Sequence, residues 1–153
     1  MANANPAAQK FYWVVVADES RALIYQRTTR TGPLSEVISL TNETARKKDS
    51  EIVSDRGGRS FDSAGSGRHA MGNDRSGPKQ HAAEVFAKDV ATRIGDVVHD
   101  GSCRGYALVA APRFLGMLRA AVAKTSNVEP YKTVDKDLVG HPIENIKSVV
   151  DSK

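Results

Sequence analysis

The feature that most constrains the fold is a short, almost entirely apolar run, YALVAAP, at residues 106–112. A strand with one face in water alternates apolar and polar residues, so a run without alternation indicates a strand covered on both faces. Pro112 ends the run and opens a helical pattern, since proline suits the first helical position. The apolar positions of that helix are Phe114, Leu115, Leu118, Ala121 and Val122. The order strand, turn, helix predicts an α/β sheet.

The N-terminal part of the chain predicts three strands in a meander. Phe11 to Ala17 is a dense apolar segment, DES makes a turn, and RALIYQR resumes with alternating polarity, which together indicate a β-hairpin. After a Gly-Pro turn, LSEVISL alternates less cleanly and predicts the third strand. A polar stretch at residues 1–10 precedes this meander and is predicted to be a flexible tail.

The C-terminal half alternates helices with strands. A helix is predicted from Pro78. A final strand is predicted within VEPYKTVDKDL, and Pro130 indicates that it lies at an edge of the sheet or that the proline stands at its start. Residues 142–153 have helical spacing, and Cys103 is predicted to lie in a loop before the YALVAAP strand. The apolar or small positions of the first helix are Ala83, Phe86, Ala87, Val90, Ala91, Ile94, Val97 and Val98. The complete order predicts one mixed α/β domain over residues 11–153, with an antiparallel meander on one side and a βαβ crossover on the other, as in ribonuclease-H-like domains.

Composition excludes several classes of protein. A single cysteine permits no internal disulfide and supplies no pair of metal ligands, which fits a reducing compartment. The longest apolar run, FYWVVVA, is far shorter than the ~20 residues of a membrane span, and the N-terminus lacks a signal-peptide pattern. We therefore predict a cytoplasmic protein that does not insert into membranes. The net charge of +4 permits a phosphate-bearing partner but is too small to identify one.

The segment 43–77 is unusually long for a connection in a compact domain, and such segments are functional or disordered. Its centre reads SDRGGRSFDSAGSGRH, in which glycines allow backbone N–H groups to converge on an anion and arginines supply forked donors. A plain solvated loop has a similar composition, so both interpretations remain open. Neither a P-loop nor a dinucleotide-binding motif is present, and no cofactor is predicted. The predicted anion-binding residues are Arg56, Gly57, Gly58, Arg59, Ser60, Gly67, Arg68 and His69, joined by Arg113 at the start of a helix.

Catalytic residues are less clearly indicated. His81 and Glu84 lie three positions apart and so share one helix face, while His69 and Asp62 lie upstream; these four are weak candidates for acid–base chemistry. The spacing is a poor zinc signal, and no metal site is predicted. Asp18 follows the first strand, where ribonuclease-H-like nucleases carry a carboxylate, but it is more simply the turn residue of ADES.

Five blocks in order resemble the bacterial host-attachment protein family: WVVVADESRALIY, IVSDRGGRSFDSAGSGRHA, PKQHAAEVFAKDVA, LVAAPRFLGMLR and VDKDL. The resemblance spans about Phe11 to Leu138 and implies a requirement in attachment to host cells, which would involve a protein partner. The family is also distantly similar to the middle domain of archaeal and eukaryotic class-one release factors, whose loop carries a Gly-Gly-Gln motif. That similarity implies contact with tRNA or ribosomal RNA.

By this similarity Gly57 and Gly58 match the two glycines, and Arg59 stands where glutamine is required. Arginine has no hydrogen-bond acceptor, so peptidyl-tRNA hydrolysis is not the leading expectation. We predict that the Gly/Arg-rich segment binds anionic RNA. An interaction protein acting in attachment is the alternative, and a weak peptidyl-tRNA hydrolase is the second alternative.

Overall fold

A computed structural model describes residues 10–43 and 77–152, which form a five-stranded sheet with helices on both faces. In chain order the elements are β1 Phe11–Ala17, β2 Arg21–Arg27, β3 Ser35–Thr41, helix α1 at 77–99, β4 Cys103–Val109, α2 Pro112–Thr125, β5 Lys132–Val134 and α3 Ile143–Asp151. This is the predicted order of elements. No helix among the described residues is long and apolar enough to cross a membrane.

The sheet has the strand order β3-β2-β1-β4-β5 and is mixed, as predicted. The meander β1-β2-β3 pairs antiparallel, whereas β1-β4 and β4-β5 pair parallel. The connection from β3 through α1 to β4 therefore brings the chain back beside β1, where the sheet changes from antiparallel to parallel pairing. In open α/β sheets, ligands bind outside the carboxyl ends of the strands at such a change of direction.

Two apolar layers explain why the central strands lack alternation. Trp13, Val15 and Leu108 face α1 and α2, whereas Val14 and Val109 face α3. Every apolar residue predicted for α2 is buried, and so are the first six predicted for α1. The burial of β1 and β4 on both faces thus explains why the runs FYWVVVA and YALVAAP are apolar throughout.

One local prediction was wrong, and two predicted strands were confirmed with details that the sequence did not predict: β5 lies at an edge of the sheet, and β3 completes the meander. Cys103 is the first residue of β4 and is buried, and its Sγ lies 3.2 Å from the carbonyl oxygen of Gly105, so the prediction of a loop residue was wrong. β5 is only three residues long, because Pro130 has no N–H to pair and regular pairing starts only at Lys132. In β3 the pairing register skips Val37, which forms a bulge and is exposed, and this explains the imperfect alternation.

Candidate functional site

The end of the sheet formed by the carboxyl ends of β1, β4 and β5 is the best-positioned site in the described structure, and we call it the carboxyl edge. The last residue of β3, Thr41, lies at the same edge because it pairs with Arg21 at the start of β2. Helix α1 starts beside this edge as well. The segment 44–76 therefore leaves and rejoins the described structure at one end of the sheet.

A buried asparagine connects both ends of that segment to the fold. The side-chain amide of Asn42 donates hydrogen bonds to the carbonyl oxygens of Glu19, at 2.8 Å, and of Ala82, at 3.2 Å. Its backbone N–H donates to the carbonyl oxygen of Ser20 at 2.8 Å. One side chain thus joins the β1–β2 turn to the first turns of α1. Sequence reasoning missed Asn42, because a polar residue after a strand gives no sign that it will be buried.

Asp18 shapes the turn that Asn42 contacts. Its Oδ1 accepts hydrogen bonds from the backbone N–H groups of Ser20, at 2.8 Å, and Arg21, at 2.9 Å. This confirms the prediction of a turn residue, since the carboxylate oxygen is occupied by backbone donors. Within the ranges 10–43 and 77–152, no group of three or more His, Cys, Asp or Glu side chains could hold a metal ion.

Arg113 lies at the carboxyl edge in the first turn of α2, directly after the end of β4. That turn has no acidic residue, and Ala111 at the N-cap provides no side-chain hydrogen bond to the free backbone N–H groups. Arg113 is exposed, and its Nη2 donates to Gln80 Oε1 at 3.3 Å. Gln80 lies three residues after Gly77, where the chain rejoins the described structure, so this contact places the Arg113 cation close to that point. The helix N-terminus and the guanidinium together favour an anion here.

His81 and Glu84 are exposed on α1, close to the same edge. Glu84 Oε2 accepts a hydrogen bond from Gln80 Nε2 at 3.1 Å, so Arg113, Gln80 and Glu84 form a short chain of contacts across the two helices. Gln80 was another residue that sequence reasoning missed. The remaining predicted residues lie outside the described residues: Arg56, Gly57, Gly58, Arg59, Ser60, Asp62, Gly67, Arg68 and His69.

The charges of the described carboxyl edge set a condition on any anion bound there. Besides Arg113, its turns and helix starts carry more acidic than basic side chains, among them Asp18, Glu19, Asp135 and Asp137. In the sequence, by contrast, the segment 44–76 contains seven Lys or Arg and five Asp or Glu residues. An anion at this edge would therefore depend on cations of that segment in addition to Arg113.

The opposite end of the sheet, which we call the amino edge, has cations that are already paired. The side chain of Arg27 is fully buried and forms an ion pair with Asp151 at 2.9 Å, and its guanidinium also donates to Tyr131 Oη and to the carbonyl oxygen of Gly32, both at 3.3 Å. Burial alone would lower the pKa of Arg27, but the hydrogen bonds with Tyr131 and Asp151 outweigh it and raise the pKa. Arg30 stacks 4.1 Å above the centre of the Tyr131 ring. These cations stabilise the fold.

A protein-family model described as "Protein required for attachment to host cells" matches residues 13–150. The match covers every strand and helix described above apart from the first residues of β1 and the last residue of α3. No curated protein matched the chain.

Proposed function

The chain belongs to the family of proteins required for attachment to host cells, and we propose that its carboxyl edge binds an anionic partner, with RNA as the leading candidate. One observation carries the proposal. The Gly/Arg-rich segment leaves the fold at the carboxyl edge and rejoins it at the start of α1, where Gln80 contacts Arg113 in the uncapped first turn of α2. Phosphate is the anion that forked arginine donors and free backbone N–H groups recognise best.

The cations in this proposal have distinct roles. Arg56, Arg59 and Arg68 supply charge from the segment, and Arg113 supplies a donor that lies beside Gln80 at the start of α1. Contacts of this kind go to phosphate and are independent of base sequence. Binding of RNA would therefore weaken as salt rises, because each neutralised phosphate releases a counterion.

The test measures binding of a fluorescein-labelled tRNA and of a single-stranded RNA by anisotropy over a series of salt concentrations. We expect the triple variant Arg56→Gln, Arg59→Gln, Arg68→Gln to bind at least about tenfold more weakly and to have a shallower salt dependence. Arg104→Gln is the matched control, because Arg104 is an exposed arginine of β4 near the amino edge. Binding that is independent of salt, or equal in the triple variant and the wild type, would contradict the proposal.

The family description favours a second candidate function, an interaction that supports attachment to host cells. A strain that lacks the gene should adhere less to host cells, and the wild-type gene should restore adherence. If the triple arginine variant restores adherence fully, attachment does not use the anion-binding segment. Fractionation of the cells then decides whether the protein acts at the cell surface or from inside the cell.

A further inference from the structure

A groove of about 770 Å³ lies on the side of α2 away from α1, and none of the residues that line it belongs to α1. Gly116, Arg119, Ala120 and Ala123 of α2 form one wall, and residues 126–133 form the other. The second wall is held in place, since Tyr106 Oη donates a hydrogen bond to the carbonyl oxygen of Val128. The groove is therefore a formed feature of the fold.

The solvent-facing side of α2 has an unusual composition for an exposed helix. Its outermost positions are Gly116, Ala120 and Ala123, all of them exposed and all small. Basic side chains stand on either side of this strip, with Arg113 and Lys124 on one flank and Arg119 on the other, next to the groove. The sequence of α2 contains no acidic residue, whereas exposed helices ordinarily mix charges of both signs.

Packing inside the described fold does not require a glycine at position 116. A Cβ built at this position would meet no described atom within 4 Å. Glycine in a helix interior is less stable than alanine, because it loses more backbone freedom on folding. Without a side chain, Gly116 permits a close approach from outside, as where small residues let two helix backbones come together.

The charged side chains around the groove limit which kind of molecule could bind there. Arg119 forms no hydrogen bond or ion pair with any described residue, and Lys132 of the facing wall donates to the carbonyl oxygen of Ser152. Glu129 is the single acidic residue of the lining. A second copy of the chain packed through α2 would set Arg119 and its neighbours against one another, which is unfavourable. The complementary occupant carries acidic side chains.

We propose that α2 and its groove form a docking surface for a helix of a partner protein, with acidic side chains toward Arg113, Arg119 and Lys124 and small residues toward Gly116. The partner helix would lie along the small strip and place one apolar side chain in the groove, beside the exposed Val128. A protein helix fits the strip better than RNA, because Gly116, Ala120 and Ala123 let a helix backbone approach closely and offer a nucleic acid neither donors nor stacking faces, so RNA contacts would be limited to residues beside the strip. The surface shares Arg113 with the carboxyl edge, but Gly116, Arg119 and the groove take no part in the proposed function, so variants at Gly116 and Arg119 test docking alone.

The experiment uses the full chain labelled with ¹⁵N and two helical, alanine-rich peptides of about 20 residues that differ only in carrying Glu or Lys. We expect the Glu peptide to shift the amide signals of Gly116, Ala120 and Ala123, and the Lys peptide to leave them unchanged. Arg119→Glu should weaken binding of the Glu peptide at least about tenfold. Arg93→Glu, on the exposed face of α1, is the matched control and should not.

A second variant separates docking from folding. Gly116→Leu should abolish binding of the Glu peptide while the thermal midpoint stays at or above that of the wild type, because leucine is the better helix former. The proposal is overturned if neither peptide or both peptides shift these signals, or if single-stranded RNA shifts them and the Glu peptide does not. A concentration-dependent dimer that Gly116→Leu removes would also overturn it, in favour of a second copy.

Discussion

The two ends of the sheet use the same residue type, arginine, for opposite purposes. At the amino edge Arg27 is fully buried, paired with Asp151 and hydrogen-bonded to Tyr131 and Gly32. At the carboxyl edge Arg113 is exposed and has one long hydrogen bond to Gln80. A buried cation that loses its partners is costly, whereas an exposed one can exchange a weak contact for a ligand. Arginine therefore stabilises the fold at one end and is available for binding at the other.

The substitution with the largest expected effect is Arg27→Ala. It removes the buried cation and leaves Asp151 and Tyr131 without that partner, so the free energy of unfolding should fall by about 3 kcal/mol. Urea unfolding followed by far-UV circular dichroism measures the loss. Arg30→Ala is the control, because an exposed cation–π contact contributes only about 0.5–1 kcal/mol. Equal losses for the two variants would remove the distinction between buried and exposed arginines at this edge.

Asn42→Ala should have the next largest effect, about 2 kcal/mol, because the carbonyl oxygens of Glu19 and Ala82 lose their side-chain donor in a buried setting. The same variant tests whether binding at the carboxyl edge requires α1 to be held to the β1–β2 turn. We expect the same variant to weaken RNA binding, since both ends of the segment 44–76 lose a shared anchor. Hydrogen exchange of the first turns of α1 checks this, with faster exchange expected. Unchanged exchange there would mean that Asn42 does not hold α1 to the turn.

Asp151→Asn should show a smaller loss that depends on pH. Burial alone would raise the pKa of Asp151, but hydrogen bonds and charge attraction from Arg27 and Lys147 outweigh it and lower the pKa below its ordinary 3.8. A carboxyl group with a lowered folded-state pKa stabilises the fold above pH 3.8, and this contribution disappears as the pH falls through the folded-state value.

The difference in unfolding free energy between wild type and Asp151→Asn should therefore be about 1 kcal/mol at pH 7 and shrink below about pH 4. Urea titrations at several pH values measure it. Asp89→Asn, an exposed carboxylate of α1, serves as the control. A difference that grows as the pH falls would have the wrong sign for an ion pair.

Arg113→Gln should have the smallest effect on stability, within about 0.5 kcal/mol, because the side chain is exposed and its hydrogen bond is long. Its effect should appear in binding, as an RNA affinity lowered about threefold to fivefold at low salt. Anisotropy and urea unfolding on the same preparations make the comparison. A large loss of stability with unchanged binding would give Arg113 the same role as Arg27.

Much of the fold could be predicted from sequence because burial leaves a direct record in residue type. The apolar positions of α2 were all identified, since helical periodicity reflects the one face that packs on the sheet. Cys103 was misplaced because a small residue between Gly101 and Gly105 has no pattern, and its strand character comes from pairing with Phe11 across the sheet. The length of β5 likewise depended on pairing with β4.

The candidate site was predictable only in part. Arg113 was identified from its position after a strand and Pro112, but its neighbour Gln80 is 33 residues away in sequence and has no local signal. His81 and Glu84 were correctly placed on one helix, yet helical spacing could not tell that Glu84 contacts Gln80. The role of Asn42 as an anchor depends on three backbone groups from two distant segments.

The sequence by itself determined the order of the elements, the burial of the two central strands on both faces and the membership in a family of attachment proteins. The order and the burial follow from periodicity and from local chain geometry, and the family membership follows from the match of the family model to residues 13–150. Only the tertiary structure decided which arginine is buried and which is exposed, and where the two ends of the Gly/Arg-rich segment meet the fold. Nothing in the sequence shows that Arg27 is buried, because its burial and its ion pair are made by residues distant along the chain. The chemistry of a cation is set by its neighbours in space.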